Sequence, residues 1–156
     1  MPDMVKVRFL LPRDDEGWPP AESEGLWAEP MGDDLYRIDN TPWFVRNLSQ
    51  DDIVKALAGS DGVLWAVEKV EASGRQTVRV IARSDGPLRG DPVAVRESFE
   101  SLGVPCEVMQ QPVRMAALDI PSEVRSRDVK ALLVERQADG WWDFEEGCVT
   151  QEWLAI

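Results

Sequence analysis

Hydrophobic and polar residues alternate along much of the first half of the chain. Val5, Val7 and Phe9 are separated by Lys6 and Arg8, a period of two that predicts a half-buried strand. Further short strands are predicted at 26–29, 35–38, 43–46, 53–57 and 63–70, between turns rich in Gly, Pro, Asn and Asp. Short strands joined by such turns are typical of a small antiparallel β-barrel. The segments 63–70 and 76–82 also flank Ala72-Ser73-Gly74, which predicts a hairpin there.

The second half has a different period. Asp91 can cap a helix that starts at Pro92, and apolar residues then recur every three or four positions until Gly103. A second helix is predicted over 126–138, ending before Gly140. With strands at 76–82, 106–109 and 113–120 and a last one at Trp142, the order is βαββαβ, which is the ferredoxin-like arrangement. The predicted fold class is therefore α+β, with a barrel-like part (1–75) and a ferredoxin-like part (76–156) in one compact unit.

Charge and composition exclude several kinds of chemistry. The 156 residues carry 17 Lys and Arg against 29 Asp and Glu, a net charge of −12, and they contain no histidine. Nucleic acid is an unfavourable partner for such a chain, because phosphate binding depends on clustered Lys and Arg. Without histidine, neither a Ser-His-Asp triad nor a His-ligated zinc site can form. The pattern predicts no metal and no cofactor.

The two cysteines and the hydropathy pattern add further expectations. Cys106 and Cys148 lack CxxC spacing, and the βαββαβ order places them on strands at opposite sides of the sheet. We therefore expect no disulfide between them. No apolar run approaches the ~18 residues of a membrane span, and the residues near Met1 lack a signal-peptide pattern, so we expect no membrane partner and a cytoplasmic location.

The least ordinary segment is acidic and aromatic and covers residues 13–29. Trp18 lies between Gly17 and two prolines, and six acids surround Trp18 and Trp27. One interpretation is that both rings cap the barrel end and the carboxylates are a solvated rim. The other is a binding surface in which a rigid aromatic side chain is surrounded by acceptors for a basic group. The candidate binding residues are Trp18, Glu22, Glu24, Trp27, Arg37 and Asp39.

The other tryptophans and the only tyrosine fit the predicted strands. Trp43, Trp65 and Trp142 take core-like strand positions, whereas Trp141 and Trp153 are predicted to be partly exposed. On the strand 35–38, Tyr36 and Ile38 would face one side and Arg37 and Asp39 the other. A pair between Arg37 and Asp39, next to Glu22 and Glu24, would form a polar cluster able to orient a ligand. Asp39-Asn40 before Thr41-Pro42 is more simply a turn capped by its own side chains.

Several of these residues also carry a family resemblance. The motifs are Gly17-Trp18-Pro19-Pro20, Leu26-Trp27-Ala28, Leu35-Tyr36-Arg37-Ile38-Asp39-Asn40, Pro42-Trp43-Phe44 and Trp142-Asp143-Phe144-Glu145-Glu146-Gly147. In this order they resemble the bacterial domain of unknown function 4265 family over nearly the whole chain. The resemblance implies a cytoplasmic bacterial protein. The family has no established activity, cofactor or catalytic residues that could be carried over.

These observations favour a non-enzymatic binding or regulatory protein. Its acidic and aromatic surface would bind, and could neutralise, a basic protein, or would hold a cationic small ligand. A first alternative is an enzyme whose carboxylates act as general acid and base or hold magnesium. A second alternative is a nucleic-acid mimic, although its carboxylates would need regular surface spacing, whereas the acids here cluster in loops. The oligomeric state is open.

Overall fold

The computed structural model describes residues 3–156. The polypeptide falls into two units, one that ends at Ser73 and one that begins at Gly74. The first unit contains the strands β1 (Val5–Leu10), β2 (Ser23–Gly32), β3 (Leu35–Ile38), β4 (Ile53–Ala58) and β5 (Leu64–Glu71). The second contains β6 (Gln76–Ala82), α1 (Pro92–Phe99), a 3-10 turn (Glu100–Leu102), β7 (Cys106–Met109), β8 (Met115–Ile120), α2 (Ser126–Ala138), β9 (Trp142–Cys148) and α3 (Gln151–Leu154).

The first unit is a closed five-stranded barrel, as the alternating pattern predicts. Its strands follow chain order, and each neighbouring pair is antiparallel except β1 and β5, which pair in parallel and close the barrel. Alternate residues of β1, β2 and β4 point inward, and the barrel core consists of Val7, Phe9, Leu26, Ala28, Ile38, Leu48, Val54 and Ala56. Ile38 and Tyr36 lie on the core side, so the predicted division of strand 35–38 into two faces is confirmed.

The second unit has the ferredoxin-like arrangement that the βαββαβ order predicts. Its four-stranded antiparallel sheet has the order β7-β8-β6-β9. Asp91 caps α1 by accepting a hydrogen bond from the N–H of Val93, and Gly103 ends the following 3-10 turn with a positive φ. In the core, Phe99 stacks on Trp142 with ring centroids 5.6 Å apart, and the Trp142 indole N–H donates to the carbonyl of Leu133.

Two predicted strand features are wrong. β5 and β6 do not form a hairpin, because β5 pairs with β4 and β1 whereas β6 pairs with β8 and β9. The buried carboxylate of Asp52 accepts a hydrogen bond from the Ser73 N–H, which fixes the chain after β5 to the barrel. The next residue, Gly74, has a φ of 89°. Residues 43–46 form no strand, because the N–H groups that a ladder would need are donated to a carboxylate, that of Glu24.

β2 is longer than predicted. It continues through Pro30 and Gly32, with an irregular register at this point, before a tight turn to β3. Asp33 and Asp34 form that turn with φ values of 55° and 62°, and positive φ at two central residues suits the right-handed twist of paired strands.

The end of the chain and the cysteines complete the comparison with the sequence. Trp153 is fully buried on α3, a short helix that the hydrophobic pattern does not predict, so the expectation of partial exposure is wrong. Thr150 caps α3, and the Trp153 indole N–H donates to Glu146. Cys106 and Cys148 lie on the two edge strands of the sheet and form no disulfide, in agreement with the topological argument.

Candidate functional site

The acidic segment before β2 forms a loop that its own charged residues hold together. The loop is closed where the Leu11 N–H donates to the carbonyl of Glu22. The Asp14 carboxylate accepts hydrogen bonds from the N–H groups of Glu16 and Trp18. Arg13 donates to the carbonyls of Gly17 and Pro19, so its guanidinium serves the loop itself. Trp18 is therefore presented on a well-defined backbone.

Glu24 supports this loop from inside the barrel. Its side chain points inward with those of Leu26 and Ala28, and the residue is only 8% exposed. One carboxylate oxygen accepts from the N–H of Trp43 at 2.7 Å, and the other accepts from Phe44 and Val45 at 2.9 and 3.0 Å. Such charge-assisted bonds to consecutive backbone N–H groups fix the segment 43–45. Glu24 thus positions Phe44 and does not itself reach the surface.

Phe44 in turn contacts Trp18. The two rings meet edge to face, with centroids 5.8 Å apart and planes at 82°. Asp15, Glu16 and Glu22 lie exposed in the same loop, and none of them is within ion-pair distance of a Lys or Arg of residues 3–156. We call the group of Asp15, Glu16, Trp18, Glu22 and Phe44 the Trp18 surface. It combines an edge-to-face aromatic pair with three exposed carboxylates of the same loop that form no ion pair among residues 3–156.

The other predicted site residues lie on the outer face of β2 and β3. The Trp27 N–H donates to the side-chain oxygen of Asn40, and the Asp39 N–H donates to the Trp27 carbonyl. Asn40 therefore bonds across to β2, and its side chain does not cap its own turn. Arg37 forms an ion pair with Glu29 opposite it on β2, so the cluster built on an Arg37–Asp39 pair does not form.

Trp27 has a basic neighbour. Lys6 lies directly opposite it on β1, and the Lys6 ammonium is 4.5 Å from the Trp27 ring centroid. The structure thus places Trp18 and Glu22 in one loop, holds the Phe44 contact of Trp18 through Glu24, and places Trp27, Arg37 and Asp39 on the outer face of β2 and β3.

Charge is unequally shared between the two units. The barrel unit contains fifteen Asp and Glu against seven Lys and Arg, and the second unit contains fourteen against ten. Two thirds of the net charge of −12 therefore belongs to the barrel. Within residues 3–156, no group of three or more Asp, Glu or Cys side chains is arranged to hold a metal ion. None of the helices in that range is both long and apolar enough to cross a bilayer.

Four groups of the second unit have shifted pKa values, and in the exposed Arg83–Asp85 pair the ion pair raises the pKa of Arg83 and lowers that of Asp85. Partial burial, and to a lesser degree the negative charge of Asp119, raise the pKa of Glu107. Burial raises the pKa of the Cys106 thiol to about 12, so this cysteine is a poor nucleophile near neutral pH.

Sequence reasoning missed two buried polar centres. Asp52 is 1% exposed, and its carboxylate accepts from the N–H groups of Ser49 and Ser73 and pairs with Lys69. In the second unit, Arg79 on the central strand β6 pairs with Glu145 on β9. Both centres join residues that are far apart in sequence, which no local motif signals. The inward position of Glu24 could have been predicted, because the alternation that points Ala28 and Leu26 inward continues to position 24.

The fold and this geometry define an α+β protein in which a small closed barrel and a ferredoxin-like unit occur in one chain. The chain belongs to the family described as "Domain of unknown function (DUF4265)", whose family model matches residues 24–144. The same fold is seen in a solved structure described as "Novel crystal structure of a hypothetical protein from Neisseria gonorrhoeae", with 20% identity and a TM-score of 0.73. The match covers 96% of this chain and 97% of that one. No curated protein matches the chain.

Proposed function

We propose that this protein is a non-enzymatic binding protein that receives a basic segment of another protein on the Trp18 surface. The observation that carries the proposal is the combination of an aromatic pair, Trp18 and Phe44, with three exposed carboxylates that form no ion pair with a Lys or Arg of residues 3–156. Unpaired charges of one sign around a rigid aromatic anchor are the complement of a Lys- or Arg-containing segment.

The contributions of the two groups differ. The acidic barrel attracts a basic partner from a distance and accelerates encounter, an effect that salt weakens. The aromatic pair supplies contact area, and Trp18 can receive an Arg or Lys side chain over its ring. Glu24 acts as a positioning residue, since it holds Phe44 against Trp18. Occupation of the basic segment would neutralise the partner, which gives the protein a regulatory role.

The test is affinity capture from a lysate of the native host with three forms of the tagged protein. The first is the wild type, and the second is the Asp15→Asn, Glu16→Gln, Glu22→Gln variant. The third is a matched control, Glu68→Gln, Glu71→Gln, Asp61→Asn, which removes the same charge from exposed positions of the barrel unit. A basic protein should be retained by wild type and control and lost from the Trp18-surface variant. The Trp18→Ala variant should also lose it.

Equal losses from the loop variant and the control would mean that only overall charge matters, which contradicts a defined site. Retention by all forms would also contradict it. If instead a small polyamine shifts the Trp18 indole resonance of the wild type and no protein is captured, the ligand class is a cationic small molecule and the proposed protein partner is wrong.

A further inference from the structure

The outer face of β1 and β2 carries a second surface of opposite sign. Lys6, Arg8 and Leu10 point outward from β1 and pair with Trp27, Gly25 and Ser23 of β2. In a unit with fifteen acidic residues, neither Lys6 nor Arg8 has a carboxylate within 4 Å among residues 3–156. Most other cations of the barrel are engaged, since Arg37 pairs with Glu29 and Lys69 with Asp52.

The two cations are held in place by neutral partners. Arg8 donates from Nε and Nη2 to the Ser23 hydroxyl at 3.2 and 2.9 Å, which leaves Nη1 for another acceptor. The Lys6 ammonium lies over the Trp27 ring. Both side chains therefore have defined positions without losing their charge to an ion pair.

Gly25 brings them together. A Cβ at this position would lie 2.7 Å from Lys6 Cδ and 2.8 Å from Arg8 Nη1, so both side chains occupy the space above the glycine. The backbone of Gly25 is an ordinary extended strand that does not require glycine, and glycine weakens a strand interior. The presence of glycine at this position is therefore explained by the room that the two side chains need. The side chains of Lys6 and Arg8 thus lie close together above Gly25, where β2 itself carries no side chain.

We infer that this strip, formed by Lys6, Arg8, Ser23, Gly25 and Trp27, binds an acidic segment of a partner protein through one of its carboxylates. Arg8 Nη1 and the Lys6 ammonium can each donate to one oxygen of a carboxylate. Trp27 and the neighbouring Leu10, 46% and 75% exposed, provide the apolar contact that a peptide needs next to its charge. Trp and Arg are the residues that most often dominate protein interfaces.

The charges around the strip favour a short acidic peptide over nucleic acid. Nucleic-acid affinity grows with the number of phosphates neutralised, and two cations on a barrel of net negative charge neutralise few. Asp39, which is exposed, lies on the β3 side of Trp27, whereas Lys6 lies on the β1 side. A carboxylate that approaches from the β1 side avoids Asp39, and among residues 3–156 no acid lies within ion-pair distance of Lys6 or Arg8.

The experiment follows the Arg8 Nε–H and Trp27 indole N–H resonances by NMR during titration with a capped peptide of alternating Glu and Leu. Inorganic phosphate and a thymidine oligonucleotide are titrated separately. The variant is Lys6→Gln, Arg8→Gln, and the matched control is Arg114→Gln, Arg127→Gln, two exposed arginines of the second unit. We expect the peptide to shift both resonances and the strip variant to weaken binding by about tenfold or more, with the control unchanged within about twofold.

Each other outcome would overturn the inference. Failure of the peptide to shift either resonance, or equal weakening in the control, removes the site. Phosphate that binds as tightly as the peptide shows a general oxyanion site, and tighter binding of the oligonucleotide shows a nucleic-acid surface. The Gly25→Ala variant provides a second test with no change of charge, because its methyl group displaces Lys6 and Arg8 and should also weaken peptide binding.

Discussion

The two units neutralise their buried carboxylates in different ways. In the barrel, Glu24 and Asp52 are satisfied mainly by backbone N–H groups. In the ferredoxin-like unit, the buried Asp119 is paired with Arg75, and the buried guanidinium of Arg79 is paired with the half-buried Glu145. A backbone N–H is removed only by substitution with proline, whereas any substitution of an arginine removes its donors. Each of these barrel loops is therefore held by one carboxylate. The sheet of the second unit is held by Arg–carboxylate ion pairs, in which either side chain can be substituted.

The largest expected effect is that of Glu24→Ala. Three N–H donors of the segment 43–45 lose a charged acceptor, and each charge-assisted hydrogen bond contributes about 1.5–3 kcal/mol. Because water reaches part of this segment, we expect the free energy of unfolding to fall by about 3 kcal/mol. Urea denaturation measures the total, and amide hydrogen exchange at residues 43–45 localises it.

The control for this prediction is Glu68→Ala on β5, an exposed acid that should leave both measurements unchanged. Glu24→Gln keeps an acceptor oxygen and should lose less stability than the alanine variant. Equal losses for Glu24→Ala and Glu68→Ala would show that the carboxylate does not fix the segment.

The next largest expected effect is that of Arg75→Ala. Arg75 donates two hydrogen bonds, of 2.9 and 2.6 Å, to the carboxylate of Asp119. Asp119 is 5% exposed, so Arg75→Ala leaves a buried charge without this partner and should cost about 2 kcal/mol. Addition of Asp119→Asn should recover part of the loss, because a neutral amide does not need a guanidinium. A double-mutant cycle by urea denaturation measures this recovery.

Arg83→Ala is the matched control, because its pair with Asp85 is solvent-exposed and should contribute no measurable change in the unfolding midpoint. If Asp119→Asn recovers no free energy of unfolding in the Arg75→Ala background, the contrast between Arg–carboxylate pairs and backbone donors is wrong.

Two strand glycines sharpen the same contrast. A Cβ at Gly147 would lie 2.8 Å from the Arg79 guanidinium, which is buried, whereas a Cβ at Gly25 meets the side chains of Lys6, which is exposed, and Arg8, which is half-buried. Gly147→Ala should therefore cost about 1–2 kcal/mol, since Arg79 has no room to move, and Gly25→Ala should be nearly neutral. Thermal unfolding of the two variants compares them directly, and similar midpoints would contradict the rigidity of Arg79.

The sequence specified individual elements better than it specified their partners. The Asp91 cap of α1, the periodicity of α1 and α2 and the alternation of β1 are local, so these elements follow from neighbouring residues. The pairing of β5 depends on β1 and on the distant carboxylate of Asp52, so a turn-like Ala72-Ser73-Gly74 was misleading. Within the candidate site, composition indicated the acidic loop. The inward role of Glu24 and the basic neighbours of Trp27 became evident only from barrel closure and register.

The smallest expected effect is a pH dependence at Glu107. Its pKa is raised from the ordinary value of 4.5 by partial burial and by Asp119, so the folded protein holds this proton more tightly than the unfolded chain. Ionised Glu107 therefore lowers stability above the folded-state pKa, and the penalty disappears as pH falls towards the unfolded value. Glu107→Gln should raise the unfolding midpoint at pH 7 and leave it unchanged below about pH 4.5.

The matched control is Glu68→Gln, which removes the same charge from an exposed position and for which no such gain is expected. Thermal unfolding from pH 4 to pH 8 gives both curves. A gain for Glu107→Gln that grows in acid, or that equals the gain for Glu68→Gln, would show that folding does not raise the pKa of Glu107. Combination with Asp119→Asn separates the two causes, since only the part due to burial should then remain. The remaining loss of stability would measure what it costs the sheet of the second unit to hold a carboxylate that has no Arg or Lys partner among residues 3–156.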